Sequence, residues 1–295
     1  MANSIKIGLV QHACTDDLEQ NINASIQGIE TLAQQGTQVV VLPELHRSLY
    51  FCQTEDTRCF DLAEAIPGPS TSRLSEVAKA FQVVIVSSLF ERRAAGIYHN
   101  TAVVIDADGA LAGMYRKMHI PDDPGFYEKF YFTPGDLGFA PIKTSVGKIG
   151  VLVCWDQWYP EAARLSALGG ADFIVIPTAI GWDPNDINEE QQRQRDAWIT
   201  IQRAHAIANG LPLVSCNRTG LEKDASGQTS GIRFWGSSFI AGPQGEILAQ
   251  CSTDNSETLA VNINLDRTEQ VRRIWPYLRD RRIDAYGNLV KRYCD

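Results

Sequence analysis

The chain has 295 residues, 44% of them hydrophobic and 21% charged; it can build one large core or two moderate ones, and it lacks the composition of a disordered segment. Its net charge of -8 speaks against nucleic acid as a partner, because a phosphate backbone calls for a basic face. No apolar stretch reaches the ~20 residues of a membrane-spanning helix, and the opening MANSIKIGLVQH lacks the pattern of a secretory signal.

Ser4 to Gln11 reads as a first strand. Between Asp16 and Gln35, Ile22, Ile26, Ile29 and Leu32 recur at helical spacing, and Gly36 ends the helix. Val39 to Leu42 is a short buried strand that stops at Pro43-Glu44. Residues 45–69 predict a long loop, Ser70 to Phe81 a helix and Val83 to Phe90 a strand. Asn100 to Asp106 and Ala110 to Arg116 flank an Asp-Gly turn and predict a hairpin. Lys117 to Asp136, punctuated by Pro121, Pro124, Gly125, Pro134 and Gly135, is irregular and long enough to suggest function.

At Lys148 the plan starts again. KIGVLV echoes the KIGLV of Lys6 to Val10, and the run ends at Cys154, where the chain turns toward a helix from Glu161 to Leu168 opened by Pro160. A strand at Phe173 to Pro177, a helix at Asn188 to Asn209, a strand at Leu211 to Cys216 and a hairpin at Ser238 to Gln250 follow in the order of the first half. Two similar α/β halves whose sheets pack together, with helices outside, make an α-β-β-α sandwich. Residues 1–265 form the catalytic-sized unit, and residues 266–295, with Arg279, Arg281 and Arg282 among acidic neighbours, are expected to dock on a neighbouring subunit.

Three strand ends carry chemistry. Glu44 ends VVVLPE, Lys117 ends GMYRK and Cys154 ends IGVLVC, and each precedes an irregular segment. Each has a plainer reading: a helix cap, a solvated lysine, a small buried hydrophobe. A carboxylate, an ammonium and a thiol at one sheet edge, where open α/β sheets collect ligands, favour the catalytic one. A thiol at such an elbow beside a helix N-terminus is expected to be a thiolate nucleophile. The other thiols, at 14, 52, 59, 216, 251 and 294, make an odd total without a CxxC pair. This predicts reduced cysteines in a cytoplasmic protein, not a disulfide framework or a zinc site. The histidines at 12, 46, 99, 119 and 205 form no metal-binding pattern, so neither a metal nor another cofactor is expected.

LPEL around Glu44, YRKMHIP around Lys117 and VCWDQWYPEAAR around Cys154, together with FYEKFYFTPGD and SSFIAGPQGEI, resemble the signature segments of the nitrilase (carbon–nitrogen hydrolase) superfamily over nearly the whole chain. The resemblance implies the α-β-β-α sandwich, a Glu44, Lys117 and Cys154 catalytic set, a second glutamate at Glu128, and homodimers or larger assemblies. LYFCQ, HIPDDPGFYEKFYFTPGD and PTAIGWDP resemble the branch that hydrolyses the ureido group of N-carbamoylputrescine, a small cationic substrate of polyamine synthesis. For such a substrate Tyr50, Tyr127, Trp155 and Trp182 would line the alkyl channel and Asp183 would meet the far ammonium. His46 and Arg47 depart from that branch, and Arg47 or Arg218 would suit an anionic N-carbamoyl amino acid instead. A non-catalytic binding protein on the same fold is the remaining alternative; it has no use for all three of Glu44, Lys117 and Cys154.

Overall fold

The structure, a computed structural model, describes residues 4–224 and 226–294. The first half runs β1 (Ser4–Gln11), α1 (Leu18–Gln34), β2 (Val39–Val41), α2 (Pro69–Phe81), β3 (Val84–Ala94), β4 (Ile97–Ile105) and β5 (Leu111–Arg116). β1, β2 and β3 are parallel neighbours; β4 and β5 add antiparallel. Alternation decides which way each strand faces. Ile7, Leu9, Val39, Val41, Val84 and Val86 turn toward the second sheet. Val10, Val40, Leu42 and Ile85 turn the other way, onto Ile29 and Leu32 of α1 and Leu74 and Ala78 of α2. Each fully buried side chain of this kind contributes roughly 1.5–3 kcal/mol. Gly28 lets α1 lie close on the sheet, since a Cβ there would run into Val10.

The second half runs α3 (Glu128–Tyr131), β6 (Ile142–Thr144), β7 (Gly147–Val151), α4 (Pro160–Leu168), β8 (Phe173–Thr178), β9 (Gly181–Trp182), α5 (Asn188–Asn209), β10 (Leu213–Asn217), β11 (Thr219–Glu222), β12 (Ile232–Trp235), β13 (Phe239–Ala241), β14 (Ile247–Gln250), β15 (Glu257–Asn264) and α6 (Leu265–Ile274). The two large sheets have orders β15-β1-β2-β3-β4-β5 and β6-β7-β8-β10-β13-β14. Each therefore has an antiparallel edge strand, three parallel strands and two more antiparallel ones. The halves foreseen from the repeated KIG segment are thus built alike and packed sheet to sheet, with helices outside.

Three features depart from the sequence reading. β15 was not foreseen: its side chains are mostly half exposed, so alternation is faint, yet it pairs with β1 from Ser4↔Asn264 to Gln11↔Glu257. The last part of the chain thus closes the sheet that its first part began. The small sheet β11-β12-β9 was also missed, its strands being only two to four residues long. Finally, the tail does not leave its own body at residue 266. Val271 of α6 is buried, and Arg272 Nε donates to Asn209 O at 3.2 Å. Only from Ile274 onward is the chain broadly exposed.

Candidate active site

Glu44 lies just past β2 and Lys117 directly past β5, both in the first sheet; Cys154 lies past β7 in the second. Packing the sheets face to face brings the three strand ends together, and all three residues are buried. Lys117 Nζ donates to Glu44 Oε1 and to Glu128 Oε2, each at 2.7 Å. Glu44 Oε1 also accepts from Asn100 Nδ2 at 2.7 Å, and Ser88 Oγ holds Asn100 Oδ1 at 2.9 Å. Its other oxygen, Oε2, is buried without a hydrogen-bond partner. Glu128 Oε1 accepts from the Tyr50 hydroxyl at 2.7 Å.

Cys154 has φ +41, a left-handed conformation that a residue with a Cβ holds only when its surroundings impose it. The fastening is Asp156, fully buried two residues on. Its carboxylate accepts from Val153 N at 2.9 Å, the Tyr115 hydroxyl at 2.7 Å and His119 N at 3.0 Å. Cys154 opens a 3₁₀ turn (Cys154–Trp158), and α4 starts only at Pro160. The thiol therefore stands at a 3₁₀ turn and not directly at the N-terminus of α4. Burial, and then the Glu44 carboxylate, push the thiol well above its ordinary pKa, against the opposing pull of Lys117. Cys154 Sγ donates to Ala179 O at 3.6 Å.

Burial works against the charge of Lys117, but Glu128 and Glu44 outweigh it and hold the ammonium well above the usual lysine range. Burial also pushes Glu128 up to about 7, with Lys117 opposing.

Beside the thiol opens a cleft of about 440 Å³. Cys154 and Glu128 line it, together with the aromatic residues Phe126, Trp155, Trp158 and Trp235. Three aspartates, Asp123, Asp183 and Asp186, also line it, and none of its lining residues is a lysine or arginine. Of the residues expected here, Trp155 and Asp183 do line the cleft. Tyr50 does not, because it is buried with its hydroxyl on Glu128. Trp182 does not, because its indole N–H donates to Gln191 O at 2.7 Å and its ring packs on Trp235. Tyr127 is off the cleft, next in chain to Phe126, which takes the wall position. Asp123 was missed, although its segment, HIPDDPGF, was marked as functional. It is half-buried, burial raises its pKa, and its Oδ1 has no hydrogen-bond partner. Asp183, by contrast, is exposed and its Oδ1 accepts from Asn185 N and Nδ2.

The arginines suggested for an anionic substrate are elsewhere. Arg47 is paired with Glu64 at 3.8 Å, and Arg218 is fully buried on Glu222 at 2.8 Å. Among the described residues no group of three or more His, Cys, Asp or Glu could hold a metal ion, and no helix is long and apolar enough to cross a membrane.

Comparison with known proteins shows the family. A family model for carbon-nitrogen hydrolases matches residues 6–273. A tomato (Solanum lycopersicum) protein named N-carbamoylputrescine amidase is 42% identical, over 97% of this chain and 95% of its own length. A Francisella tularensis protein named citrullinase is 37% identical, over 99% of this chain and all of its own. The crystal structure of a carbon-nitrogen hydrolase from Helicobacter pylori G27 superimposes with a TM-score of 0.96 at 55% identity, covering 99% of this chain and 100% of that one.

Proposed function

The chain belongs to the carbon-nitrogen hydrolase family and is an enzyme of that class; from this premise we propose that it hydrolyses the ureido C–N bond of a small cationic substrate, N-carbamoylputrescine, to putrescine, CO2 and ammonia. The observation that carries the proposal is the wall of the cleft: three aspartates and no cationic side chain around the path to Cys154. Such a wall attracts an ammonium and repels a free carboxylate.

In the proposed reaction Cys154 Sγ attacks the ureido carbonyl carbon while its proton passes to Glu44. The unpartnered Oε2 of Glu44 suits that task. The carbonyl oxygen becomes an oxyanion, held by Lys117 Nζ and the backbone N–H of Trp155; losing one such donor costs on the order of 100-fold in rate. Collapse expels one ureido nitrogen, which takes the proton back from Glu44. Water, deprotonated by Glu44, then cleaves the S-thiocarbamate, the departing Cys154 sulfur regains the proton from Glu44, and the carbamate released loses CO2. Glu128, bonded to both Lys117 and Tyr50, would orient the ammonium.

The test is ammonia release from N-carbamoylputrescine, citrulline and N-carbamoyl-β-alanine, with Cys154→Ala as the blank. The expected result is a kcat/KM for the purely cationic substrate about 100-fold or more above the two that carry a carboxylate, equivalent to about 2.7 kcal/mol. Preference for citrulline would move the reading toward the Francisella relative's activity. Preference for N-carbamoyl-β-alanine would defeat the argument from the acidic wall.

A further inference from the structure

Arg218 and Glu222 have no part in the reaction as written, yet they are bonded to the backbone that carries it. Arg218 stands just past β10 and Glu222 at the end of β11. Arg218 Nη2 donates to Glu44 O at 2.6 Å and to Leu45 O at 2.8 Å. Nη1 donates to Ser48 O at 3.1 Å and to Glu222 Oε1 at 2.8 Å. Glu222 Oε2 then accepts the Tyr50 N–H at 2.6 Å. One buried ion pair thus grips the loop after β2 at residues 44, 45, 48 and 50. Leu45 in that loop has φ +48, a conformation that a leucine keeps only when held.

The two ends of the gripped loop lead to the two carboxylates on Lys117. Glu44 reaches Nζ directly; Tyr50 reaches it through Glu128. We infer that Arg218 and Glu222 are a positioning pair that sets Glu44 and Glu128 on either side of Lys117 and so aims the free Glu44 oxygen at the thiol. The inference rests on the reading of Glu44 as the base. A guanidinium is needed because its planar fork serves three carbonyls and a carboxylate at once, which the point charge of a lysine does not. A misplacement of about 1 Å at a reacting group costs about 100-fold in rate.

The experiment compares wild type, Arg218→Lys, Glu222→Gln, Glu44→Gln and the double variant Arg218→Met with Glu222→Leu. It reads thermal midpoint, kcat and KM on N-carbamoylputrescine, and the rate of Cys154 alkylation by iodoacetamide, which needs the thiol deprotonated but no ureido substrate. The double variant is expected to melt below wild type, since it leaves three carbonyls and the Tyr50 N–H without their partners, so kcat is read at a temperature where it is folded. Its kcat and that of Arg218→Lys fall about 100-fold with KM within about threefold, and alkylation slows in the same order. A folded double variant or Arg218→Lys with wild-type kcat and alkylation overturns the inference. If neither arginine variant folds, wild-type kcat in the isosteric Glu222→Gln overturns it. Wild-type activity in Glu44→Gln is a different result: it removes the base and the proposed mechanism with it.

Discussion

Around Cys154 two carboxylates share one ammonium, an arrangement that supports the proposed role of Glu44 as the proton acceptor. Lys117 is held far above its ordinary pKa by Glu128 and Glu44 and keeps its charge, so it is unsuited to accept the thiol's proton. Glu44 has one oxygen on Lys117 and Asn100 and one free. Among the cleft's aspartates Asp123 is the carboxylate with a desolvated, unpartnered oxygen, whereas Asp183 is exposed and tied to Asn185. Asp123→Asn is therefore expected to raise KM for N-carbamoylputrescine about 10-fold, or about 1.4 kcal/mol, and to leave KM for uncharged n-butylurea unchanged. An equal change for both substrates would mean that Asp123 shapes the cleft without meeting the ammonium. Glu44, Lys117 and Cys154 were legible in the sequence because each ends a strand just before an irregular segment. Asp123 was not, because it lies in an irregular segment whose course no periodicity records.

Among the elements, the join between β1, α1, β2 and β3 contains a buried polar chain. His12 Nε2 meets Ser25 Oγ at 3.0 Å, Ser25 Oγ meets His46 Nδ1 at 2.7 Å, and His46 Nε2 meets Ser87 Oγ at 2.8 Å. This accounts for His46, which the sequence marked as ill-suited to a cation pocket: it faces the helix side and never reaches the cleft. Burial first, with Arg218 adding to it, lowers His12 to about 4; burial, His12, Arg218 and Arg47 lower His46 well below its ordinary value. Both imidazoles are neutral in the folded chain and titrate near their usual value when it unfolds. Their contribution is therefore complete above about pH 6.5 and is lost as pH falls toward 4. For His12 alone the loss from about pH 7.5 to about pH 5 is roughly 2 kcal/mol. Urea unfolding at the two pH values should show a smaller drop for His12→Gln than for wild type. Equal drops would mean that His12 carries no such linkage.

At the scale of the whole molecule, the chain's end crosses back to its beginning through β15, and α6 packs on its own body before the chain turns outward. Beyond it Ile283, Val290 and Tyr293 are 74%, 92% and 80% exposed, and Leu165 and Leu168 of α4 are exposed as well. We propose a second copy of the chain as the occupant of this apolar surface. Sedimentation should give the full chain a mass of two copies or more, and a chain ending at Ile274 a lower one; a monomeric full chain, or no change on truncation, would refute it. What the sequence by itself determined is the local part: where strands end, which faces are apolar, that the plan occurs twice, and which thiol, ammonium and carboxylate stand at strand ends. Alternation and turn chemistry are written within a few neighbouring residues and can be read there. Only the tertiary structure decided that Arg218 grips Glu44 from 174 positions away, that Tyr50 serves Glu128 instead of the cleft, and that Asp123 lines the cleft. Those contacts exist because two sheets pack face to face, and short-range pattern carries no record of which distant side chain meets which.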